Sequence, residues 1–411
     1  MSLADDLLAT TQVELRKKAE QQIPKAWRAS ERRNDDGSSD VTSQAYEGSY
    51  EASEASLLAD HGYDPETHMI LGGWRQSSWT AYKPKEYRRL TEDGDADEDL
   101  EAFTFTAKAF KFKVVERPQG ARSSDVEDLI RALDSRVPAA PAPGRLADAA
   151  QGGVILAIGD TQIGKMENPL EGLSDRFTTV VDDAAYRLKM RGPVKHLHIA
   201  WLGDCIEGAN SQGGKLRWRT TLTIVDQVRV LQRYMMYAIE ALAPHAERLT
   251  VSSIPGNHDE AFSRDLVTRS DDSWAIQALV SVEDAIKFSR REDMAHVECY
   301  VPGPDQQGVT IDVAGLRVAQ VHGHQFRVGR EYTWWQGQTF GGQDEGSADL
   351  LLHGHQHHFT VEEQGKRTRI GVPAMEAESV WYKQSTGTGG NPGSLLLTVE
   401  EGRVATIDRL S

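Results

Sequence analysis

The sequence predicts an α/β fold for the larger, C-terminal part of the chain, about residues 153–411. Short apolar segments typical of buried strands alternate there with longer amphipathic segments typical of helices. Each of the first five apolar segments ends in a polar cluster, and ligands gather at the carboxyl ends of strands in open α/β sheets. The residues before this part lack the alternation, and we expect them to form a smaller α+β module.

Composition narrows the class of protein. With 39% hydrophobic and 26% charged residues, the 411-residue chain has enough apolar material for packed cores. Its net charge of −16 argues against a protein that coats nucleic acid through a broad basic face. Only two cysteines are present, too few for a disulfide framework or a Cys-rich zinc site. The chain has no apolar run of about 18 residues and no secretory signal at its start, so we expect a cytoplasmic protein without membrane contact.

The region before the α/β part divides into three predicted segments. Residues 1–52 combine a helix, about residues 3–28, with a polar segment that we expect to be flexible. We expect residues 53–136 to form the small α+β accessory module, and the Pro- and Ala-rich residues 137–153 to form a linker to the α/β domain, 154–411. The elements expected in the module are a helix at 53–61, strands at 68–74 and 103–115, and a helix that begins with the capping box Ser124-x-x-Glu127.

One strand of the module has two interpretations. Lys108, Lys111 and Lys113 alternate with Phe110 and Phe112, which is a pattern that nucleic-acid stacking surfaces use. The same pattern arises in an antiparallel hairpin that turns one face to solvent, and this second interpretation is favoured.

The polar clusters at the strand ends carry the candidate chemistry. Oxygen donors come first along the chain and imidazoles last, a mixture that favours two borderline divalent ions such as Mn, Fe or Zn over Ca or Mg. A carboxylate that bridges two such ions holds them close enough to bind one phosphate together. The clusters are Gly159-Asp160-Thr161-Gln162, Gly203-Asp204-Cys205-Ile206-Glu207, Gly256-Asn257-His258-Asp259, Val321-His322-Gly323-His324 and Gly354-His355-Gln356-His357.

The order of these clusters resembles the calcineurin-like metallophosphoesterase superfamily, whose motifs run D-x-H, G-D-x-x-D/E, G-N-H-D/E, H and G-H-x-H. The resemblance covers about residues 153–411 and implies a four-layer α-β-β-α sandwich that binds two divalent metal ions, with Mn favoured over Fe or Zn. It implies that the first ion is held by Asp160, Gln162, Asp204 and His357, and the second by Asp204, Asn257, His322 and His355.

The resemblance also implies the catalytic groups. His258 would stabilise the transition state or donate a proton to the leaving oxygen, and Asp259 would orient His258. One position departs from the pattern, because Gln162 stands where the family has a histidine. An amide oxygen is a weaker ligand than imidazole, so we expect the first metal site to be weaker or to favour a harder ion such as Mn.

Within the superfamily the sequence is most similar to double-strand-break-repair-type nucleases and to metallophosphoesterases encoded by actinobacterial phages. The stretches GDCIEG, DQVRVLQR, PGNHDE and ADLLLHGHQHH carry this similarity. It implies a DNA exonuclease or endonuclease that uses metal-activated hydroxide, in a bacterial cytoplasm. Two alternatives stay open: a phosphomonoesterase or small-nucleotide or protein phosphatase of the same fold, and a non-catalytic metal-binding module.

Candidate substrate contacts flank the motifs. Arg217 and Arg219 are candidates to clamp phosphate, and Arg264 is a weaker one. Trp334 and Trp335 would stack on a base, close the site or belong to the core. The N-terminal module is open to two roles, substrate recognition or oligomerisation, and a second copy of the chain or an accessory protein would bind there.

Other residues near the motifs are assigned to packing. His196 and His198 lie within a strand before the second motif and are interpreted as structural. Cys205 lies inside the second motif and is interpreted as a packing residue and not as a nucleophile.

Overall fold

A computed structural model describes residues 23–34, 37–83, 103–117, 123–136, 152–209, 220–262, 268–377 and 390–411. The chain divides into two compact units, Met1–Arg117 and Pro118–Ser411. The predicted helix at 3–28 lies almost entirely outside the described residues, which contain only a short 3-10 helix, Lys25–Trp27, at its end.

The first unit is a five-stranded antiparallel sheet with one helix. Its strands follow the order β1-β2-β5-β3, and β4 pairs with β5 along nearly its whole length. Phe110 and Phe112 of β5 are buried against Leu57 and Leu58 of the helix. Because both phenylalanines lie in the core, the hairpin interpretation is confirmed for this strand. The elements are β1 Ser30–Arg33, β2 Ser39–Thr42, β3 Tyr46–Glu47, α1 Glu54–Asp60, β4 His68–Lys83 and β5 Phe103–Glu116.

The polar segment that we expected to be flexible contains three of these strands. Val41 is buried in the core and lies opposite Phe112 across the β2–β5 pair. Ser43 Oγ accepts a hydrogen bond of 2.9 Å from the backbone N–H of Phe110. The expectation of flexibility is therefore wrong for residues 30–34 and 37–47. Short strands at a sheet edge need few apolar side chains, since ladder hydrogen bonds and one buried residue fix them in place.

The second unit contains two mixed sheets. The six-stranded sheet has the order β16-β15-β6-β7-β8-β9, with β6 to β9 parallel. The five-stranded sheet has the order β10-β11-β12-β14-β13, with β11, β12 and β14 parallel. The strands are β6 Gly153–Ile158, β7 Val194–Trp201, β8 Ala246–Ser253, β9 Val297–Tyr300, β10 Gly308–Val313, β11 Leu316–Val321, β12 Leu350–His353, β13 Thr360–Gln364, β14 Arg367–Gly371, β15 Ser394–Glu400 and β16 Arg403–Leu410.

The two sheets face each other and helices cover their outer faces. Along β6, Ile155 and Ala157 point into the core between the sheets, while Leu156 and Ile158 point to the helices. Both faces are buried, which explains the continuous apolar sequence of this strand. The helices are α2 Ser123–Arg136, α3 Leu170–Arg191, α4 Ile224–Leu242 and α5 Trp274–Ser289 on the six-stranded sheet, and α6 Glu331–Gly341 on the other; 3-10 turns lie at Ala243–His245, Glu292–Met294 and Asp344–Ser347.

This arrangement is the α-β-β-α sandwich, so the predicted fold class is confirmed. Helix α2, which the sequence assigns to the accessory module, lies in the second unit and packs Val126, Ile130 and Leu133 against its core. Of the predicted linker, only Gly152 and Gly153 lie within the described residues, and its limits stay a prediction. None of the described helices has the length and apolar character that crossing a bilayer requires.

A polar network crosses the interface between the sheets. His198 of β7 is fully buried, and its Nε2 accepts a hydrogen bond of 2.7 Å from Gln320 Nε2 of β11. Its Nδ1 lies 2.8 Å from Thr250 Oγ1, which His196 Nε2 also contacts at 2.8 Å. Burial lowers the pKa of His198 to about 3 and that of His196 to about 4. Both histidines are therefore neutral structural residues, as the sequence predicted.

Candidate metal and catalytic site

The carboxyl ends of strands from both sheets bring the predicted motifs together. Backbone hydrogen bonds from one strand end to the carboxylate of another fix this arrangement. The N–H of His258 donates to Asp204 Oδ1 at 2.8 Å, and the N–H of His355 donates to Asp160 Oδ2 at 3.0 Å. The second of these bonds joins the two sheets. The residues follow their strands in this order: Asp160 after β6, Asp204 after β7, His258 after β8, His322 after β11 and His355 after β12.

Much of this site has a backbone conformation that side-chain-bearing residues rarely adopt. Five of the seven predicted metal ligands have positive φ angles: Asp160 at 52°, Gln162 at 39°, Asp204 at 49°, His355 at 65° and His357 at 58°. A left-handed conformation costs a non-glycine residue about 1–3 kcal/mol, and such residues cluster at functional sites. A Cβ on Gly256 would lie 2.2 Å from Asp204 Oδ1, so only glycine fits there.

Asp204, His322 and His355 form the tightest group of donors. Their ligand atoms all lie within 4.8 Å of one another, and this is the one such group of His, Cys, Asp or Glu in the part of the chain that the structure describes. His322 Nε2 lies 3.0 Å from Asp204 Oδ2 and 3.2 Å from His355 Nδ1. Ligands held about 2.1 Å from one ion are separated by roughly these distances.

His322 and Asn257 each have a further feature that suits a metal site. His322 Nδ1 donates to the carbonyl oxygen of Leu202 at 2.8 Å, which leaves Nε2 as the ring nitrogen that faces Asp204. Asn257 lies between Gly256 and His258, whose backbones both contact Asp204, and its Oδ1 is buried with no hydrogen-bond partner among the described residues. A buried oxygen without a partner is costly unless a ligand satisfies it. The carboxylate and two imidazoles fit a borderline divalent ion, and Asn257 offers an amide oxygen as a further donor.

The electrostatics of these donors point the same way. Burial alone would raise the pKa of Asp204, but the charges of His322 and His258 lower it, and the carboxylate stays ionised. Burial would lower the pKa of His322, and the charge of Asp204 outweighs this and raises it to about 9. Burial and the charge of His322 lower the pKa of His355. His322 therefore retains a proton beside Asp204 at neutral pH, and binding of a metal ion by these groups would release it.

Of the other predicted ligands, Gln162 contacts the ammonium group of Lys165, and His357 contacts two carboxylates. Gln162 Oε1 accepts a hydrogen bond of 2.7 Å from Lys165 Nζ, and Lys165 also forms a short ion pair with Glu376. His357 lies between two carboxylates, with Nε2 3.2 Å from Asp160 Oδ1 and Nδ1 3.0 Å from Glu376 Oε1. Asp160 and His357 are therefore in contact, as predicted, and Gln162 is connected to His357 through Lys165 and Glu376.

The predicted proton donor has a different carboxylate partner from the one expected. His258 Nδ1 lies 3.3 Å from Glu207 Oε2. Asp259 instead accepts backbone hydrogen bonds from Ile206 at 3.1 Å and Gly256 at 3.0 Å. Asp259 therefore connects the turn after β7, which carries Asp204, to the turn after β8, which carries His258. The geometry does not support the orienting role predicted for it. The role that the resemblance implied for Asp259 fails because its carboxylate is occupied by these two backbone N–H groups.

Nearby carboxylates keep His258 protonated, and burial raises the pKa of Asp259. Burial would lower the pKa of His258, but Asp204 and Glu207 raise it to about 10. Burial and the charge of Asp204 raise the pKa of Asp259 to about 7. His258 is thus an acid that can give a proton to a leaving oxygen.

The predicted substrate contacts have separate outcomes. Arg217, Arg219 and Arg264 lie outside the described residues. Trp335 is fully buried and its Nε1 donates to Glu345 O at 2.6 Å, so it belongs to the core, the last of the alternatives that the sequence left open. Trp334 is half-buried, with its ring 5.3 Å from that of Phe326.

Sequence reasoning missed Lys165, Glu207 and Glu376. Glu207 was visible as the acidic residue that closes the second motif. Glu376 follows the end of β14, so it occupies one more strand end on the same edge. Lys165 gave no signal, because its partner Glu376 lies 211 residues away.

Cys205 is buried beside Asp204, and burial raises the pKa of its thiol well above the usual value. Its side chain belongs to the core under the helices. This is the packing role that the sequence predicted, since a neutral buried thiol is a poor nucleophile.

Comparison with known proteins gives fold neighbours at low sequence identity. No protein-family model matches the chain, and no curated protein matches it. A conserved uncharacterised protein from Streptococcus pneumoniae, described as a predicted phosphoesterase, is similar at 11% identity and TM-score 0.27, covering 64% of this chain and 91% of its own. Vacuolar Protein Sorting 29 from Cryptosporidium parvum is similar at 14% and 0.30, covering 64% and 99%. A novel archaeal phosphodiesterase is similar at 12% and 0.32, covering 62% and 99%.

Proposed function

We propose that the chain is a metal-dependent phosphodiester hydrolase and that its substrate is DNA. The observation that carries the proposal is the meeting of the ligand atoms of Asp204, His322 and His355 within 4.8 Å of one another. A divalent ion bound there would polarise a phosphoryl oxygen and lower the pKa of a water molecule. Mn is the favoured ion, with Fe or Zn as alternatives.

The chain's own residues supply the rest of the reaction. His258 is held at the site by its N–H bond to Asp204 Oδ1 and by the nearby carboxylate of Glu207. With its pKa raised to about 10, the imidazolium carries the proton that a leaving alkoxide needs. A cation on Asp204 would offset part of the attraction that holds this proton and would bring the acid closer to neutral pH. Asp259 holds the turn that carries His258 against the turn that carries Asp204, through its hydrogen bonds to Ile206 and Gly256.

The DNA assignment is supported by the resemblance of the motifs to repair-type nucleases. The overall charge of −16 speaks against binding through a broad basic surface. Binding would instead depend on a local cationic point, and we expect it to be weak and sensitive to salt. A second copy of the chain or an accessory protein as partner of the N-terminal unit stays a prediction.

A metal screen with two model esters tests the proposal. Bis-p-nitrophenyl phosphate reports phosphodiester hydrolysis, and p-nitrophenyl phosphate reports phosphomonoester hydrolysis. We expect Mn-dependent hydrolysis of the diester, and cleavage of a labelled DNA strand by the same preparation. Hydrolysis of the monoester alone would select the phosphatase alternative. Metal binding without turnover of either ester would select the non-catalytic module.

A further inference from the structure

The ammonium group of Lys165 contacts Gln162, the residue that the motif pattern assigns to the first metal ion. Its Nζ donates to Gln162 Oε1 at 2.7 Å and pairs with the carboxylate of Glu376. Gln162 has no other side-chain oxygen to offer an ion. An ion bound through that oxygen would face a positive charge a few ångströms away, and like charges at such a distance repel strongly in a buried site.

Hydrogen bonds near the ion pair hold together the two segments that carry Lys165 and Glu376. Asn168 Nδ2 donates to Thr161 O at 3.1 Å, and Asn168 Oδ1 accepts from the N–H of Ala377 at 3.0 Å. Arg176 donates to Asn168 Oδ1 at 2.7 Å and to Met375 O at 3.1 Å. These bonds tie the turn that carries Lys165 to the segment that carries Glu376, so the ion pair is a built feature of the site.

Burial makes the pair costly to separate. The Glu376 side chain is 2% exposed, whereas that of Lys165 is 17% exposed. Removal of one partner from a buried pair leaves an uncompensated charge. The carboxylate of Glu376 therefore holds the ammonium group of Lys165 in place. The Lys165 side chain is partly exposed, so a ligand from solvent can approach it.

We propose that the site binds one metal ion tightly, at Asp204, Asn257, His322 and His355, and that Lys165 takes the place of the first ion. The ammonium group supplies the second positive charge and contacts a phosphoryl oxygen of the substrate, as lysine does in other phosphate sites. The identity of the ligand rests on the proposed function. The number of ions does not depend on turnover.

Metal counting tests the first part without any activity assay. Apoprotein is loaded with Mn, freed of loosely bound ions and assayed for Mn per chain, and its electron paramagnetic resonance spectrum is recorded. We expect one ion per chain and the hyperfine pattern of an isolated Mn ion. Two tightly held ions with an exchange-coupled spectrum would overturn the proposal, and this measurement on the unaltered protein needs no variant to fold.

Variants then assign the effect to Lys165. The double variant Gln162→His with Lys165→Met restores the imidazole and removes the charge, and we expect it to bind two ions with a coupled spectrum. Gln162→His alone keeps the ammonium group and is expected to hold one. A folded double variant that still holds one ion would show that Lys165 does not exclude the other.

Binding of inorganic phosphate to the Mn-loaded protein tests the second part. Lys165→Met should weaken phosphate binding about tenfold, because a charge-assisted hydrogen bond is lost. Lys165→Arg should stay within about threefold of the unaltered protein. Lys195→Met, at an exposed lysine at the start of β7, is the matched control. Equal phosphate affinity in Lys165→Met and the unaltered protein would overturn this contact.

The outcomes separate this proposal from the function. A protein that holds one ion but hydrolyses no diester would contradict the proposed function and leave the metal count standing. A protein that hydrolyses the diester with two tightly bound ions would do the reverse.

Discussion

The two halves of the site are built from strand ends of the same sheets, yet different groups neutralise their carboxylates. Around Asp204 the neighbours are imidazoles and an amide oxygen that has no hydrogen-bond partner among the described residues. Around Asp160 the neighbours are His357 and, one contact further, the ion pair of Lys165 with Glu376. The first half groups the ligand atoms of Asp204, His322 and His355 as a metal ion would need them. The second half includes the ammonium group of Lys165.

The difference shows that one substitution in a metal motif changes more than one ligand. Glutamine cannot form the strong metal bond of an imidazole, but its oxygen accepts a hydrogen bond from an ammonium group. Lys165, three residues further on, uses that oxygen, and Glu376 balances the charge. Polar strand ends of this fold can therefore hold either a metal ion or a side-chain cation.

The largest effect is expected from removal of the shared carboxylate. Asp204→Asn should weaken Mn binding by more than about a hundredfold, since it removes the only negative charge among the proposed ligands of the tight ion, and it should abolish diester hydrolysis. Asp160→Asn, the matching change in the other half, should keep the tight ion within about tenfold of the unaltered affinity. Isothermal titration with Mn measures both.

Glu363→Gln, at an exposed carboxylate of β13, serves as the control for loss of a negative charge. Equal losses of Mn affinity in Asp204→Asn and Asp160→Asn would remove the distinction between the two halves.

The next effect concerns the proton donor that belongs to the Asp204 half. His258→Gln should lower kcat for the diester by about 10²–10⁴-fold without changing the amount of bound Mn, because the side chain acts on the leaving oxygen. Glu207→Gln should lower kcat less, and it should shift the alkaline limb of the pH profile to lower pH, because loss of the carboxylate lowers the pKa of His258. Steady-state kinetics from pH 5 to 10 measures both changes. An unchanged kcat in His258→Gln would contradict the assignment.

A smaller effect concerns stability and the buried network behind the site. The pKa of His198 is about 3 in the folded protein and about 6.5 when unfolded, so the unfolded chain binds a proton first as pH falls. His198 therefore contributes stability above pH 6.5 that is lost as pH falls toward 3, at about 1.4 kcal/mol per pH unit. In His198→Gln, urea unfolding at pH 7, 6, 5 and 4 should show a correspondingly shallower loss. The same slope in both proteins would contradict a buried neutral His198.

The smallest effect is expected at Cys205, next to Asp204 but turned toward the core. Cys205→Ala should cost about 1 kcal/mol of unfolding free energy through lost packing and leave kcat and Mn affinity unchanged. Thermal unfolding and diester kinetics measure these quantities. Loss of activity in a stable Cys205→Ala would give the thiol a role that its burial argues against.

The sequence predicted the strand ends and the ligand motifs, because each ligand lies within a few residues of an apolar strand. It predicted neither Lys165–Glu376 nor the role of Glu207, since these contacts depend on how segments far apart in sequence fold together. The resemblance assigned Asp259 to His258, although Asp259 accepts backbone hydrogen bonds and Glu207 is the carboxylate next to His258 Nδ1. The sequence also missed the strands between residues 30 and 47, whose side chains are mostly polar and whose stability comes from pairing with β5.

An anomalous difference map from Mn-loaded crystals tests the central claim most directly. We predict one strong peak, bounded by the carboxylate of Asp204, Asn257 Oδ1, His322 Nε2 and His355 Nδ1. A peak confined to the space between Asp160 and His357, or a fully loaded crystal without a peak at Asp204, would contradict it.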